Sequence, residues 1–286
     1  MGDGNSIINL GDLAKPATVL IEKVSSAVGV LYEPRRIRKR AEAEAEAEKI
    51  KALAGIELTE IQQRGIERLV QQEARKQENI ESITAQAASQ LPPSANTEAL
   101  EEDWVAHFFD KCDKVSDKDM QSLWSRLLAG EATKPGTYSK RTVDFVATMD
   151  KKDAELFTTF CQFTWMIDEL VPLIFDASDE VYTKRGINFT SLKHLDSIGL
   201  ISFESVSGYK KYGYGKNTVI FYFGQPTLVE FSKEKDNEIE LGKALFTQTG
   251  KELVTICGAR RNQEFYEHAI EKLFKKNITL SSILNK

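Results

Sequence analysis

RRIRKRAEAEAEAEKIKALAGIELTEIQQRGIERLVQQEARKQENIESITAQAA, from Arg35 to Ala88, is the stretch on which the reading of this chain turns. It contains no proline and is dominated by Ala, Glu, Lys, Arg, Gln and Leu. These residues lose little side-chain freedom in a helix and do not compete for its backbone hydrogen bonds. One continuous helix over this span would be about 80 Å long at 1.5 Å per residue. A helix of that length cannot stand alone in water and predicts lateral packing on another body. Pro34 and Pro92 bound it, and the whole charged element is assigned to 35–91.

Within it, Ile50 and Leu53, then Leu58, Ile61, Gly65 and Leu69, then Ile80, Ile83 and Ala87 form a narrow, interrupted apolar seam. Gly55 and Gly65 each cost about 1 kcal/mol against alanine in a helix and suit kinks or close helix contacts. The seam predicts a homo-oligomer held together through the long helix. Arg35, Arg36, Arg38, Lys39 and Arg40 open the element with five cations. Cations at a helix N-terminus oppose the macrodipole, so this collar invites an external anion. The alternating glutamates from Glu42 to Glu48 spread around the cylinder and read as solvated surface.

Ahead of the collar, residues 1–34 hold an amphipathic segment. In PATVLIEKVSSAVGVL (Pro16–Leu31) the apolar residues Leu20, Val24, Ala27, Val28 and Leu31 share one face. The segment is too short and polar to span a bilayer. Docking on the protein's own body or a neighbouring subunit is the preferred expectation. The alternative is peripheral contact with the inner membrane by Leu20, Val24, Val28 and Leu31, together with Arg35, Arg36, Arg38, Lys39 and Arg40.

Composition narrows the classes. Hydrophobic residues make up 41% and charged residues 28%, and the net charge is −5, so there is no global basic footprint for nucleic acid. Cys112, Cys161 and Cys257 form no CxxC pair, which suits buried apolar thiols in a reducing compartment. MGDGNSIINLGDLAK lacks the basic and apolar regions of a secretory signal, so a cytoplasmic location is expected.

SQLPPSANT (Ser89–Thr97) reads as a linker, and 97–176 as a helical bundle. Thr97 is placed as the cap of a helix carrying Leu100, Trp104, Val105, Phe108 and Phe109. Asp117 caps the next, with Met120, Leu123, Trp124, Leu127 and Leu128 on one face and Gly130 at its end. A short helix from Arg141 to Met149 follows, and a longer one is predicted from Lys152 to Phe175.

DKDMQSLWSRLLAGEATKPGTYSKRTVDFVATMDKKDAELF (Asp117–Phe157) resembles the core motif of the abortive infection alpha family of bacterial proteins. The matching residues are Asp119, Leu123, Trp124, Leu127, Leu128, Ala129, Phe145, Asp153, Ala154 and Leu156. The resemblance implies involvement in phage defence. Over its whole length, with the PATVLIEKV start and the AEAEAEAEKI helix, the chain more closely resembles an uncharacterised bacterial family known only as a domain of unknown function.

From 177 to 286 the texture becomes α+β. A helix from Asn188 to Ser197, Gly199, a strand entered at Leu200 and Ile201, then TVIFYFG and TLVEFS as a hairpin, together suggest a winged-helix-like domain. Thr247 starts a helix near ALFTQTGKELVTI, and a last helix covers about Asn262 to Phe274. The loop SGYKKYGYGKN (Ser207–Asn217) brings together Lys210, Lys211, Tyr212, Tyr214 and Lys216, the tip that a phosphate-contacting wing would present. The helix expected to enter the major groove offers only Lys193 and His194, beside Asp196. A protein partner is therefore expected at this domain before nucleic acid.

His107, His194 and His268 are not at metal-ligand spacing, and no phosphate-cradling loop, dinucleotide fingerprint or nucleophile elbow occurs. The sequence thus predicts a mostly α protein with a smaller α+β part, without a catalytic site, cofactor or metal. Its expected role is that of an assembling bacterial phage-defence protein; a winged-helix nucleic-acid-binding regulator is the alternative.

Overall fold

The computed structural model of the protein describes residues 14–29, 59–276 and 278–282. It has a mixed α+β fold and divides into two compact units, with the division between Ala147 and Thr148. No helix among the described residues is long and apolar enough to cross a membrane.

The first unit is helical. Its elements are α1 (Lys15–Val28), α2 (Glu60–Gln90), a 3-10 turn (Thr97–Ala99), α3 (Glu102–Cys112), α4 (Lys118–Thr133) and α5 (Lys140–Thr148). α2 packs along α4, and α1 packs against α3 and α2. Leu20, Ile21 and Val24 of α1, Ile83 and Ala87 of α2, and Trp104, Phe108, Trp124 and Leu127 are buried in the resulting core. The aromatic centre interlocks edge to face: the Phe108 ring lies 5.1 Å from Trp124 and 5.0 Å from Phe109, centroid to centroid.

A polar network fixes how α2 enters this core. Asn79 donates to the Asp113 carbonyl at 2.9 Å, and Gln121 donates to Asn79 Oδ1 at 3.0 Å and to the Val115 carbonyl at 2.8 Å. Asn79 and Gln121 are buried, so a sliding helix would strand amides away from water.

Three expectations for this unit change. The long element does not run unbroken from Arg35, because Thr59 is an extended N-cap closed by a capping box with Gln62. Residues 35–58 lie outside the described residues. Thr97 begins a 3-10 turn, and α3 starts only at Glu102. Gly130 sits inside α4, which continues to Thr133. The reason is packing: a Cβ at Gly130 would stand 2.6 Å from Cε2 of Tyr138. Asp117 caps α4 as expected, with Oδ1 accepting from Asp119 N and Met120 N, both at 3.0 Å.

The second unit is α+β. It contains α6 (Lys151–Cys161), β1 (Thr164–Ile167), β2 (Glu169–Pro172), α7 (Glu180–Thr183), α8 (Phe189–Ser197) and β3 (Ile201–Phe203). β4 (Tyr209–Tyr214), β5 (Asn217–Tyr222), β6 (Gln225–Glu230), β7 (Asn237–Gly242), β8 (Ala244–Phe246), α9 (Gln248–Val254), α10 (Gln263–Phe274) and β9 (Thr279–Ser282) complete it. The order β2-β1-β5-β6-β9 makes a five-stranded sheet, and β3–β8 and β4–β7 pair separately. β1–β2, β5–β6, β3–β8 and β4–β7 are all antiparallel. Phe163, Trp165, Tyr182, Tyr222 and Phe265 form the buried centre of the unit.

The helix expected from Lys152 to Phe175 stops at Cys161 and gives way to the β1–β2 hairpin. Trp165 and Ile167 point inward and Met166 outward, a period of two that β-branched and aromatic residues favour. The hairpin closes tightly through Asp168 at φ 61°. The hairpin follows α6 within the second of the two units. The hairpin expected from TVIFYFG and TLVEFS is present, but it turns at Phe223 (φ 47°) and Gly224 (φ 78°), which that reading placed in the strand; these are the paired positive angles of a primed two-residue turn. Thr247 and Asn262 cap α9 and α10 with side-chain acceptors.

Candidate functional site

The first four turns of α2 are the feature most in need of a partner. From Thr59 to Arg75 every residue is exposed apart from Gly65, which is half-buried. Ile61, Gly65, Leu69, Gln72, Lys76, Ile80, Ile83 and Ala87 succeed one another at steps of three and four, so they trace one line along the helix. The C-terminal end of that line is bundle core, with Ile83 and Ala87 fully buried. Its N-terminal end is bare: Ile61 is 74% exposed, Leu69 57%, and the neighbouring Ile66 and Val70 49% and 62%. Single exposed apolar residues need no explanation, but Ile61 and Leu69 on a continuing core stripe, with Ile66 and Val70 beside them, mark a contact surface.

Two charged features border this stripe. Arg64, Arg68 and Arg75, at steps of four and seven, share one flank. Among the described residues Arg64 meets only the exposed Glu60, at 3.7 Å, a contact worth little in water. Where α2 enters the bundle, Gln72, Arg75, Lys76, Asp113 and Lys114 line a groove of about 440 Å³. Lys76 lies 2.8 Å from Glu73 and 3.6 Å from Asp113, and its hydrogen bond to Glu73 raises its pKa. Arg75, Lys76 and Lys114 outnumber Asp113 and the Glu73 carboxylate paired with Lys76, so the groove is net basic.

The amphipathic stripe of α1 is already used. Leu20 and Val24 are fully buried and Val28 is half-buried, packed on the unit's own helices. Leu20 and Val24 are thus not available as a membrane face, because the bundle covers the apolar side. Leu31, Arg35, Arg36, Arg38, Lys39 and Arg40 lie outside the described residues.

The basic tip is not a tip. Ser207–Asn217 holds the strand β4 instead of a loop, and its cations have acidic partners. Lys210 lies 2.7 Å from Glu238, Lys211 3.1 Å from Asp168, and Lys216 2.8 Å from Glu234. Tyr214 is buried and donates to Asp168 at 2.9 Å. Burial first, and then that hydrogen bond, raise the pKa of Tyr214, and the same bond holds Asp168 low. Tyr212 stays open, at 68% exposure. On α8, Lys193 pairs with Asp196 at 2.8 Å and His194 with Asp153 at 2.7 Å.

The second unit assembles two groups that no sequence spacing announces. His268 Nε2 lies 3.3 Å and Lys272 Nζ 2.9 Å from Oδ2 of Asp179. Burial depresses the His268 pKa in spite of the opposing carboxylate. Lys272 reaches a polar groove of about 490 Å³, whose Lys210 and Lys276 are matched by Glu238 and Glu240. Such internally compensated charges suit an ion-pair lattice. On another face, Met166, Phe221 and Phe223 are 37–43% exposed and line an apolar groove of about 580 Å³ with Thr164, Leu170 and Val254. β1 and β5 share one registered pair there, Met166 with Phe221.

A family model described as a protein of unknown function, DUF2806, matches residues 63–270. No curated protein and no solved structure matches the chain. The residues shared with the abortive infection alpha motif are largely packing positions here, with Leu123, Trp124, Leu127, Leu128 and Ala129 all buried. The family match reaches from the free-standing turns of α2 into α10 and takes in most of both units. This chain is therefore a member of the DUF2806 family of proteins of unknown function.

Proposed function

We propose that the chain is a non-catalytic interaction module whose working surface is the free-standing part of α2, on which another polypeptide completes the apolar stripe. The observation that carries this reading is the continuity of one line of residues, buried at Ile83 and Ala87 and bare at Ile61 and Leu69. Covering a large aliphatic side chain stabilises by about 1.5–3 kcal/mol when burial is complete.

A second copy is the partner that the sequence led us to expect. Light scattering at micromolar concentration tests that form: an assembly through the stripe exceeds the mass of one chain and falls to it on Leu69→Glu. The reading as a whole is contradicted if Leu69→Glu alters neither the mass nor the binding of any apolar helix.

Involvement in phage defence rests on the motif resemblance. It predicts reduced plaquing on cells that carry the wild-type protein and restored plaquing with Leu69→Glu. For the second unit we infer a winged-helix-like arrangement, in which α7 and α8 are followed by the β3–β8 ribbon and the wing is enlarged to take in β4–β7. Its protein contact would fall on Met166, Phe221 and Phe223. With Lys210, Lys211 and Lys216 each held by a carboxylate, Lys210→Glu with Lys211→Glu is expected to leave duplex DNA retardation at low salt unchanged.

A further inference from the structure

The surface on α2 carries information about its occupant. We propose that it receives an amphipathic helix of another protein whose apolar stripe is flanked by acidic residues. This deepens the docking reading above and rests on it.

Three observations select that chemistry. First, one whole flank of the stripe is cationic: Arg64, Arg68 and Arg75 stand on a single line, and neither Arg68 nor Arg75 has an ion pair among the described residues. Second, the stripe runs into a concave basic end, the groove formed by Arg75, Lys76 and Lys114 around Asp113. A carboxylate entering there meets cations from both α2 and the residues just after α3. Charge-assisted hydrogen bonds to a carboxylate are the strongest such a site can make.

Third, a second copy fits poorly. From Asn79 onward the unit's own helices occupy the face of α2 that carries the stripe. A copy running parallel would have to enter that occupied space. A copy running antiparallel could overlap the bare turns, but equivalent flanks then meet, and arginines face arginines. Like charges opposite one another destabilise, whereas a helix with glutamates on its flank gains at each arginine. A flat anionic membrane would also satisfy the arginines, but it does not enter a concave groove between two segments.

The probes are two synthetic helical peptides of identical leucine stripe, one with glutamate flanks and one with lysine flanks, titrated into the full chain by fluorescence anisotropy. The glutamate peptide is expected to bind saturably, about tenfold or more tighter than the lysine peptide at low salt, with the difference shrinking as salt rises. Arg68→Glu with Arg75→Glu should invert the preference, and Leu69→Glu should weaken both peptides. All three positions are exposed, and circular dichroism checks that the variants stay folded.

Equal binding of the two peptides overturns the proposal. So does binding of neither peptide alongside co-sedimentation with vesicles of phosphatidylcholine and phosphatidylglycerol. If neither peptide binds but light scattering gives an assembly that Leu69→Glu dissolves, a second copy closes the stripe: the acidic-partner inference fails and the docking reading stands. If neither peptide binds and the masses are equal, both fail.

Discussion

At the scale of single residues, the buried polar groups decide more than the charges on the surface. Asn79 holds α2 in register through three contacts, with the Asp113 carbonyl, the Ser116 hydroxyl and the Gln121 amide. Asn79→Ala should cost about 1–3 kcal/mol, because it leaves the Gln121 amide and the Asp113 carbonyl without their partner. Chemical unfolding of the full chain measures the loss. His268 supplies a pH-dependent term of known sign. Its folded pKa lies below the ordinary 6.5, since burial disfavours the imidazolium. Stability from this group is therefore fully present above about 6.5, the unfolded value, and is lost as pH falls towards the folded value. Thermal unfolding between pH 7 and 5 should show a decline that His268→Gln flattens. The lowered carboxylates, such as Asp168 and Glu169, act in a separate, more acidic window. None of these partners was legible in the sequence, because His268 and Asp179, or Asn79 and Gln121, meet only through the tertiary fold.

Elements were legible where periodicity and capping agreed. Asp117 with its Leu-Trp-Leu-Leu face, Thr247 and Asn262 were each readable as helix starts. The β5 and β6 strands also stood out by their β-branched and aromatic residues, although Phe223 and Gly224 read as strand and form the turn. Two readings failed for a shared reason: the rule was local and the answer was tertiary. Gly130 looked like a helix end, but the Tyr138 ring needs its missing side chain. Trp165, Ile167 and Leu170 fit a helical spacing as well as a strand, and pairing of β1 with β2 and β5 settled it. Two glycines separate these effects. Gly65→Ala meets nothing within 4 Å of the new methyl group, so it should raise the stability of the free turns by about 1 kcal/mol, read as slower amide exchange there. In Gly250→Ala the methyl group would stand 2.0 Å from the Leu200 carbonyl oxygen. A loss on the order of 3 kcal/mol is expected in unfolding of the second unit.

On the scale of the whole molecule, net charge misled more than it informed. A chain at −5 carries a cationic flank at Arg64, Arg68 and Arg75, while cations gathered in sequence at Lys210, Lys211 and Lys216 are neutralised one by one. The candidate surface was half legible: the seam through Ile61, Gly65 and Leu69 could be read as apolar, but not that the bundle takes it up only from Asn79 onward. That division of one stripe into a covered and an uncovered part is what the functional proposal depends on. Amide hydrogen exchange on the dilute, isolated chain tests it most directly. Residues 60–75 should exchange within the time of a free helix end, while 79–88 stay protected to near the stability of the bundle. Equal, strong protection over both halves in a chain shown to be monomeric would contradict the claim that this surface awaits a partner.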